Sequence, residues 1–164
     1  MTGNPGLNQI IEVKKVFSSP ERKYLLNKIK PYLTKKHNNN TMHGLSTGSD
    51  LYQISDFRFY IDKIKTAIEK KCKEPLTIFK AWCRYTEGDH LNFHNHPPMT
   101  LTSIYYLSNP SALGTLIKVP GKNIVGGKEN SLVCFDGSIY HSVPQCSKKI
   151  KRYTFIVDFQ TIFK

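Results

Sequence analysis

The sequence has no apolar run approaching the roughly 20 residues a membrane-spanning helix needs. Its first residues, MTGNPGLNQIIEVKKVF, have neither the basic start nor the apolar block of a secretory leader, so the expected location is the cytoplasm. The four cysteines (Cys72, Cys83, Cys134, Cys146) are scattered without a C-x-x-C pair. That spacing argues against a zinc knuckle or a disulfide framework and for incidental or buried thiols. No repeat of fixed period occurs. Nor is there an interleaved Arg/aromatic platform or a helix-turn-helix signature, which leaves nucleic acid a weak candidate partner.

What is present in excess is positive charge, a formal +12 over 164 residues. Residues 1–80 carry 15 Lys/Arg against 7 Asp/Glu, and the remainder 9 against 5. A basic surface attracts nucleic acid, anionic membranes or acidic proteins, but a solvated Lys-rich face explains the excess more simply. With 39% apolar residues the chain can build a real core, and its length predicts one domain. Residues 1–75 would be a helical support and 76–164 a β-rich core.

Ile10 to Phe17 reads as a first strand. Ser18-Ser19-Pro20-Glu21 then has the spacing of a capping box, and Leu25, Ile29, Tyr32 and Leu33 repeat at helical spacing, with Pro31 expected to kink or end the helix. Lys35 to Asp50 is polar and turn-rich, a loop in which His37 and His43 are expected to face solvent. A second helix starts at Ser55, with Phe57, Ile61, Ile64 and Ile68 on one face, and Pro75 stops it. Afterwards the texture changes. Leu76–Tyr85, Leu91–His96, Thr100–Leu107, Thr115–Val119, Ser131–Phe135 and Arg152–Phe159 are short β-rich runs separated by Gly, Pro, Asn and Asp turns. The expected class is α+β: a double-stranded β-helix (jelly-roll) barrel braced by two N-terminal helices.

The chemistry concentrates in Trp82 to Leu107. His94 and His96 lie two residues apart between a Gly-Asp turn and a Pro-Pro turn. Extended backbone would project both imidazoles from one face, as a pair of metal ligands requires. The one histidine that follows, His141, is the candidate third ligand. Three protein ligands with an open opposite face suit iron. In the last strand, alternation puts Arg152 and Thr154 on one face and Tyr153, Phe155, Val157 and Phe159 on the other. An inward Arg with a neighbouring hydroxyl is a carboxylate clamp.

These pieces occur in a characteristic order: His94-Asn95-His96-Pro97, Ile104-Tyr105-Tyr106-Leu107, Gly114, His141-Ser142-Val143-Pro144 and Arg152-Tyr153-Thr154. In that order Trp82 to Gln160 resembles the iron(II)/2-oxoglutarate-dependent oxygenases, most of all small oxygenases with an H-x-H-P motif, and is similar to the prolyl hydroxylases. The resemblance implies His94, His96 and His141 as Fe(II) ligands. Arg152 would pair with the distal carboxylate of 2-oxoglutarate, with Thr154 assisting and Tyr106 hydrogen-bonding; Tyr105 is the alternative, since the strand's face is uncertain by one register. It further implies consumption of O2, decarboxylation of 2-oxoglutarate to succinate and hydroxylation of a prime substrate, with a protein side chain or a small molecule favoured and no membrane partner. Most of that superfamily has Asp or Glu where His96 stands, but the H-x-H-P subgroup is similar here and His96 is kept as a ligand. Asp89 or Asp136 could supply an oxygen instead, although Asp136 reads more simply as a turn residue beside Gly137. Two other readings stay open. One is a three-histidine cupin that does not use 2-oxoglutarate, although its expected Glu after His96 is missing. The other is a non-catalytic binding protein with a degenerate barrel.

Overall fold

The computed structural model describes residues 10–35, 44–88, 90–97, 100–112, 114–119, 122–144 and 150–161. The chain opens with strand β1 (Ile11–Lys14), followed by helices α1 (Ser19–Ile29) and α2 (Ser55–Cys72). The capping box at the start of α1 is formed. Ser18 Oγ accepts from the Glu21 N–H, and the Glu21 carboxylate accepts from the Ser18 N–H. Pro31 ends α1 as expected, turning the chain into a single 3-10 turn, Lys30–Tyr32. α2 closes on Lys73, held in the left-handed region with φ 57° while its N–H reaches Glu69 O. Among the described residues no helix is long and apolar enough to cross a membrane.

The remaining strands are β2 (Leu45–Ser46), β3 (Leu76–Glu87), β4 (Leu91–His94), β5 (Thr100–Ser108), β6 (Thr115–Val119), β7 (Lys122–Gly126), β8 (Ser131–Asp136), β9 (His141–Val143) and β10 (Lys151–Thr161). All six β-rich runs are strands, with ends shifted by a residue or two. The sequence did not signal β2, β7 and β9. β2 is a two-residue strand inside the polar loop, and β9 is only HSV. His37 and His43 lie outside the described residues.

The strands make two antiparallel sheets. One has six strands in the order β1-β8-β5-β10-β3-β2, the other four in the order β4-β9-β6-β7. This is the jelly-roll arrangement expected, with one correction: the sheets do not close into a barrel. Each keeps its own edges, and side chains rather than a continuous ladder join them.

The large sheet is sandwiched, and β10 shows why. Tyr153, Phe155, Val157 and Phe159 point outward into a core shared with Leu25, Ile29, Phe57, Ile61, Ile64 and Ile68 of the two helices. Ile156, of opposite parity, packs inward with Ile104, Tyr106, Val133 and Phe135 against Ile117 of the small sheet. Each face of the large sheet therefore buries its own apolar set. The helical stripe is core, as expected. Ile64 is fully buried at the centre of α2. Ile64→Ala should therefore destabilise the fold by about 2–5 kcal/mol, measured as a shift in denaturant midpoint at constant m-value.

Candidate metal centre

His94 is the last residue of β4 and His141 the first of β9, and the antiparallel ladder sets them directly opposite one another. Opposed residues project side by side from the same face, which brings their ring centres to 4.2 Å. His96 arrives differently. The strand stops at His94, two residues earlier than expected, so alternation does not place His96. Its backbone N–H donates to Gly137 O at 2.7 Å, and the Gly137 N–H donates to Thr100 O at 2.7 Å. These bonds pin the segment after β4 to the Asp136–Gly137 turn. The His96 ring then lies 5.5 Å from His94 and 5.0 Å from His141. One ring nitrogen from each histidine lies within 4.8 Å of the others, a group that can hold a metal ion.

The tautomers follow from the hydrogen bonds. His94 Nδ1 is 2.9 Å from Asn92 O, and His141 Nδ1 is 3.0 Å from Ile139 O. A carbonyl only accepts, so both Nδ1 atoms carry the proton and both Nε2 lone pairs are free. Burial lowers the pKa of His94 and that of His141, the latter to about 3. Both rings are therefore neutral at physiological pH, as ligation requires.

Asp158, Thr102 and Thr115 escaped the sequence reading as site residues. Asp158, 2% exposed, puts Oδ2 2.7 Å from His96 Nδ1, and Thr102 Oγ1 lies 3.1 Å from the same nitrogen. The signal was Asp158's shared parity with Arg152 and Thr154. Thr115 stands at the other end of the interior. Its Oγ1 accepts from the Tyr106 hydroxyl at 2.8 Å and lies 3.5 Å from Arg152 Nη2. Asp136 is the turn residue expected beside Gly137, its Oδ1 accepting from Ser138 N and Oγ. Asp89 lies outside the described residues.

Arg152 enters the interior only 6% exposed, with its guanidinium 5.4 Å over the Tyr106 ring. Its Nε has no hydrogen-bond partner, and no carboxylate lies within ion-pair distance among the described residues. Burial lowers its pKa, with Tyr106 opposing. Thr154 shares its face and is buried, but the hydroxyl that reaches Arg152 is Thr115's. The register question between the two tyrosines has a geometric answer. Tyr106 points to Arg152, whereas Tyr105 points into the helical core, donating to Asn130 Oδ1 at 2.8 Å.

A cleft of about 400 Å³ opens beside the histidines. Lys80, Trp82 and Arg84 line it from β3, together with Ser46–Ser49, Asn95 and Asp158. Trp82 stacks on His96 with centres 5.7 Å apart. Cys83 and Cys134 are buried free thiols whose pKa values burial raises. Neither reaches the cleft.

No family model and no curated protein matches the chain. Solved structures do. The 2-oxoglutarate-dependent epimerase SnoN from nogalamycin biosynthesis superposes with a TM-score of 0.72 at 13% identity, covering 93% of this chain and 78% of the other. HygX from Streptomyces hygroscopicus, solved with nickel, 2-oxoglutarate and hygromycin B, gives 0.72 at 11%, covering 97% and 85%. A prolyl hydroxylase from Trichoplax adhaerens, bound to a hypoxia-inducible-factor peptide, gives 0.68 at 12%, covering 93% and 84%. At such identities the likeness concerns the fold, and the chain has the double-stranded β-helix of the iron/2-oxoglutarate-dependent oxygenases.

Two outcomes follow from the geometry of the centre. His141 binds a proton near pH 6.5 when unfolded and near 3 when folded, so between these values the unfolded chain holds more protons. Stability of the metal-free protein should be complete above the upper value and fall with acidification, by up to about 1.4 kcal/mol per pH unit, as read by thermal melts across pH. Second, a Cβ on Gly137 would fall 2.1 Å from Thr100 Oγ1 and 3.3 Å from His96 Cβ. Gly137→Ala should cost about 1–3 kcal/mol and weaken Ni(II) binding, measured by calorimetry.

Proposed function

We propose that this protein is an iron(II)- and 2-oxoglutarate-dependent dioxygenase that hydroxylates a substrate entering the cleft beside His94 and His96. One observation carries the reading: a three-histidine group and a buried, carboxylate-seeking Arg152 line the same interior of a fold shared with 2-oxoglutarate oxygenases. Imidazole nitrogens suit iron among other transition metals. The unpartnered Nε of Arg152 is an orphan of the kind that a bound carboxylate would satisfy.

His94, His96 and His141 hold the ion through Nε2. The Arg152 fork receives the distal carboxylate of 2-oxoglutarate, and the hydroxyls of Tyr106 and Thr115 complete that pocket. Thr154 lines it, and Tyr105 has no part. When bound, iron(II) with 2-oxoglutarate and O2 supplies the oxidation, releasing succinate and CO2 and delivering one oxygen atom to a C–H bond. The apolar floor of Ile104, Ile117, Phe135 and Ile156 excludes water, with Phe135 edge-on to His141 at 4.9 Å. A cleft of this size suits a small molecule or a protein side chain. SnoN and HygX belong with small molecules and the Trichoplax enzyme with a peptide, so the fold accommodates both. Free thiols and a redox-active Fe(II) fit a reducing cytoplasm.

The test is an anaerobic titration of iron(II)-loaded protein with 2-oxoglutarate, following the visible charge-transfer band of the chelate. The band should appear in the wild type. Arg152→Ala should cost 2-oxoglutarate at least about 2 kcal/mol, or roughly 30-fold in affinity. Stoichiometric iron with no band would favour the three-histidine cupin, and no iron at all would favour a non-catalytic binder.

A further inference from the structure

We infer that Asp158 is a positioning residue for the metal centre: through His96 it fixes the ligating tautomer and restores the negative charge that a carboxylate ligand would otherwise bring. The inference rests on the metal-binding part of the function proposed above.

Asp158 is poorly placed for stability alone. It is 2% exposed, and one of its oxygens, Oδ1, has no partner. Lys80 stands directly across from it in the β10–β3 register, yet the Lys80 ammonium lies over the Phe79 ring, 5.1 Å from its centre. The carboxylate's one ion-pair contact among the described residues is with His96. A buried carboxylate with a single hydrogen-bonded neighbour is a net cost to folding, and an amide or an apolar residue would avoid it. The compensation lies beyond His96, at the ion.

The three histidines differ in what stands behind them. His94 and His141 lean on neutral backbone carbonyls, Asn92 O and Ile139 O. His96 leans on a carboxylate, at the shortest distance of the three. It also occupies the position where the resembling enzymes usually carry Asp or Glu. Three neutral imidazoles leave a divalent ion with its full charge of two. A carboxylate hydrogen-bonded to the imidazole makes that ligand more basic and lowers the charge of the whole assembly by one. Asp158 thus does from behind what a ligand carboxylate does directly. It also fixes orientation, because His96 sits beyond the end of β4 with no ladder to hold its ring.

The test uses Asp158→Asn, which preserves shape and an acceptor oxygen but removes the charge. Metal-free wild type and variant are titrated with Ni(II) by calorimetry, without 2-oxoglutarate, and their metal-free melting temperatures are compared. The expected result is Ni(II) binding weakened by about 10–100-fold with a melting temperature equal to or above that of the wild type. Unchanged Ni(II) affinity in folded Asp158→Asn would overturn the inference while leaving the oxygenase reading intact. A variant that loses affinity only in step with its melting temperature would reduce Asp158 to a structural residue. Should the variant not fold, the His96 tautomer in metal-free wild type decides, by long-range nitrogen–proton NMR. A proton on Nδ1 supports the inference and one on Nε2 overturns it. Wild type that binds no Ni(II) would remove the metal reading itself, an outcome that the wild-type arm reports separately.

Discussion

Everything in this molecule hangs on the two-residue period of β10. That strand is flanked on both sides, by β5 and by β3, so its register is fixed twice. Because side chains alternate, one register assignment decides two surfaces at once. The outward set fastens the sheet to α1 and α2. The inward set, Arg152, Thr154, Ile156 and Asp158, runs from the Tyr106 side of the interior to the histidine end. A slip by one residue would bury Tyr153 in the pocket and turn Arg152 toward the helices. The helical layer, remote from the chemistry, is therefore what keeps the chemistry in register.

The interior this creates is electrostatically lopsided. Arg152, Arg84 and Lys80 face it from two adjacent strands, and three imidazoles line it from the small sheet and its flank. Among the described residues the fully buried carboxylate on this side is Asp158, engaged with His96. In a medium of reduced dielectric such a surplus is costly unless anions arrive. Arg152 is the fully buried cation of this set, and its unpartnered Nε is the part of that cost an arriving anion would offset. The basic face of residues 1–80 is a separate matter. Among the described residues Lys63, Lys28 and Lys65 pair at the surface with Glu21, Asp56 and Glu69, and such pairs contribute little.

Legibility from the sequence varied with the kind of signal. Helix caps and stripes were readable because they are local: Ser18 to Glu21, and Phe57 to Ile68. Long strands were readable from β-branched and aromatic runs. The identity of the three histidines was readable from composition and order. The reason for His96's place was not, since it depends on a backbone bond to Gly137, 41 residues away in sequence. β2 and β9 were invisible because two or three residues carry no period. Closure into a barrel was inferred from strand count, and strand count does not reveal whether the last pair hydrogen-bonds. Thr115 and Asp158 were missed because each acts through a partner, and a single Thr at a strand start or a single Asp within a strand looks ordinary until that partner is known. Alternation did carry the information for Asp158, in the face it shares with Arg152.

His96 also shows what a ligand outside a strand demands. His94 and His141 are held by a ladder and by carbonyls two residues back in their own chain segments, so their rings come into place as β4 pairs with β9. His96 has no such ladder. Three contacts of different kinds take over: the backbone bond to the Gly137 turn, the stack against Trp82 from β3, and the hydrogen bonds of Nδ1 to β10 and β5. Each comes from a different part of the chain, and all exist only once the large sheet is assembled. Completion of the metal centre is thereby coupled to completion of the fold: a chain with β4 and β9 paired but β10 undocked would hold two imidazoles and not the third. An ion that bound the native three-histidine group alone would add its binding free energy to the stability of the fold.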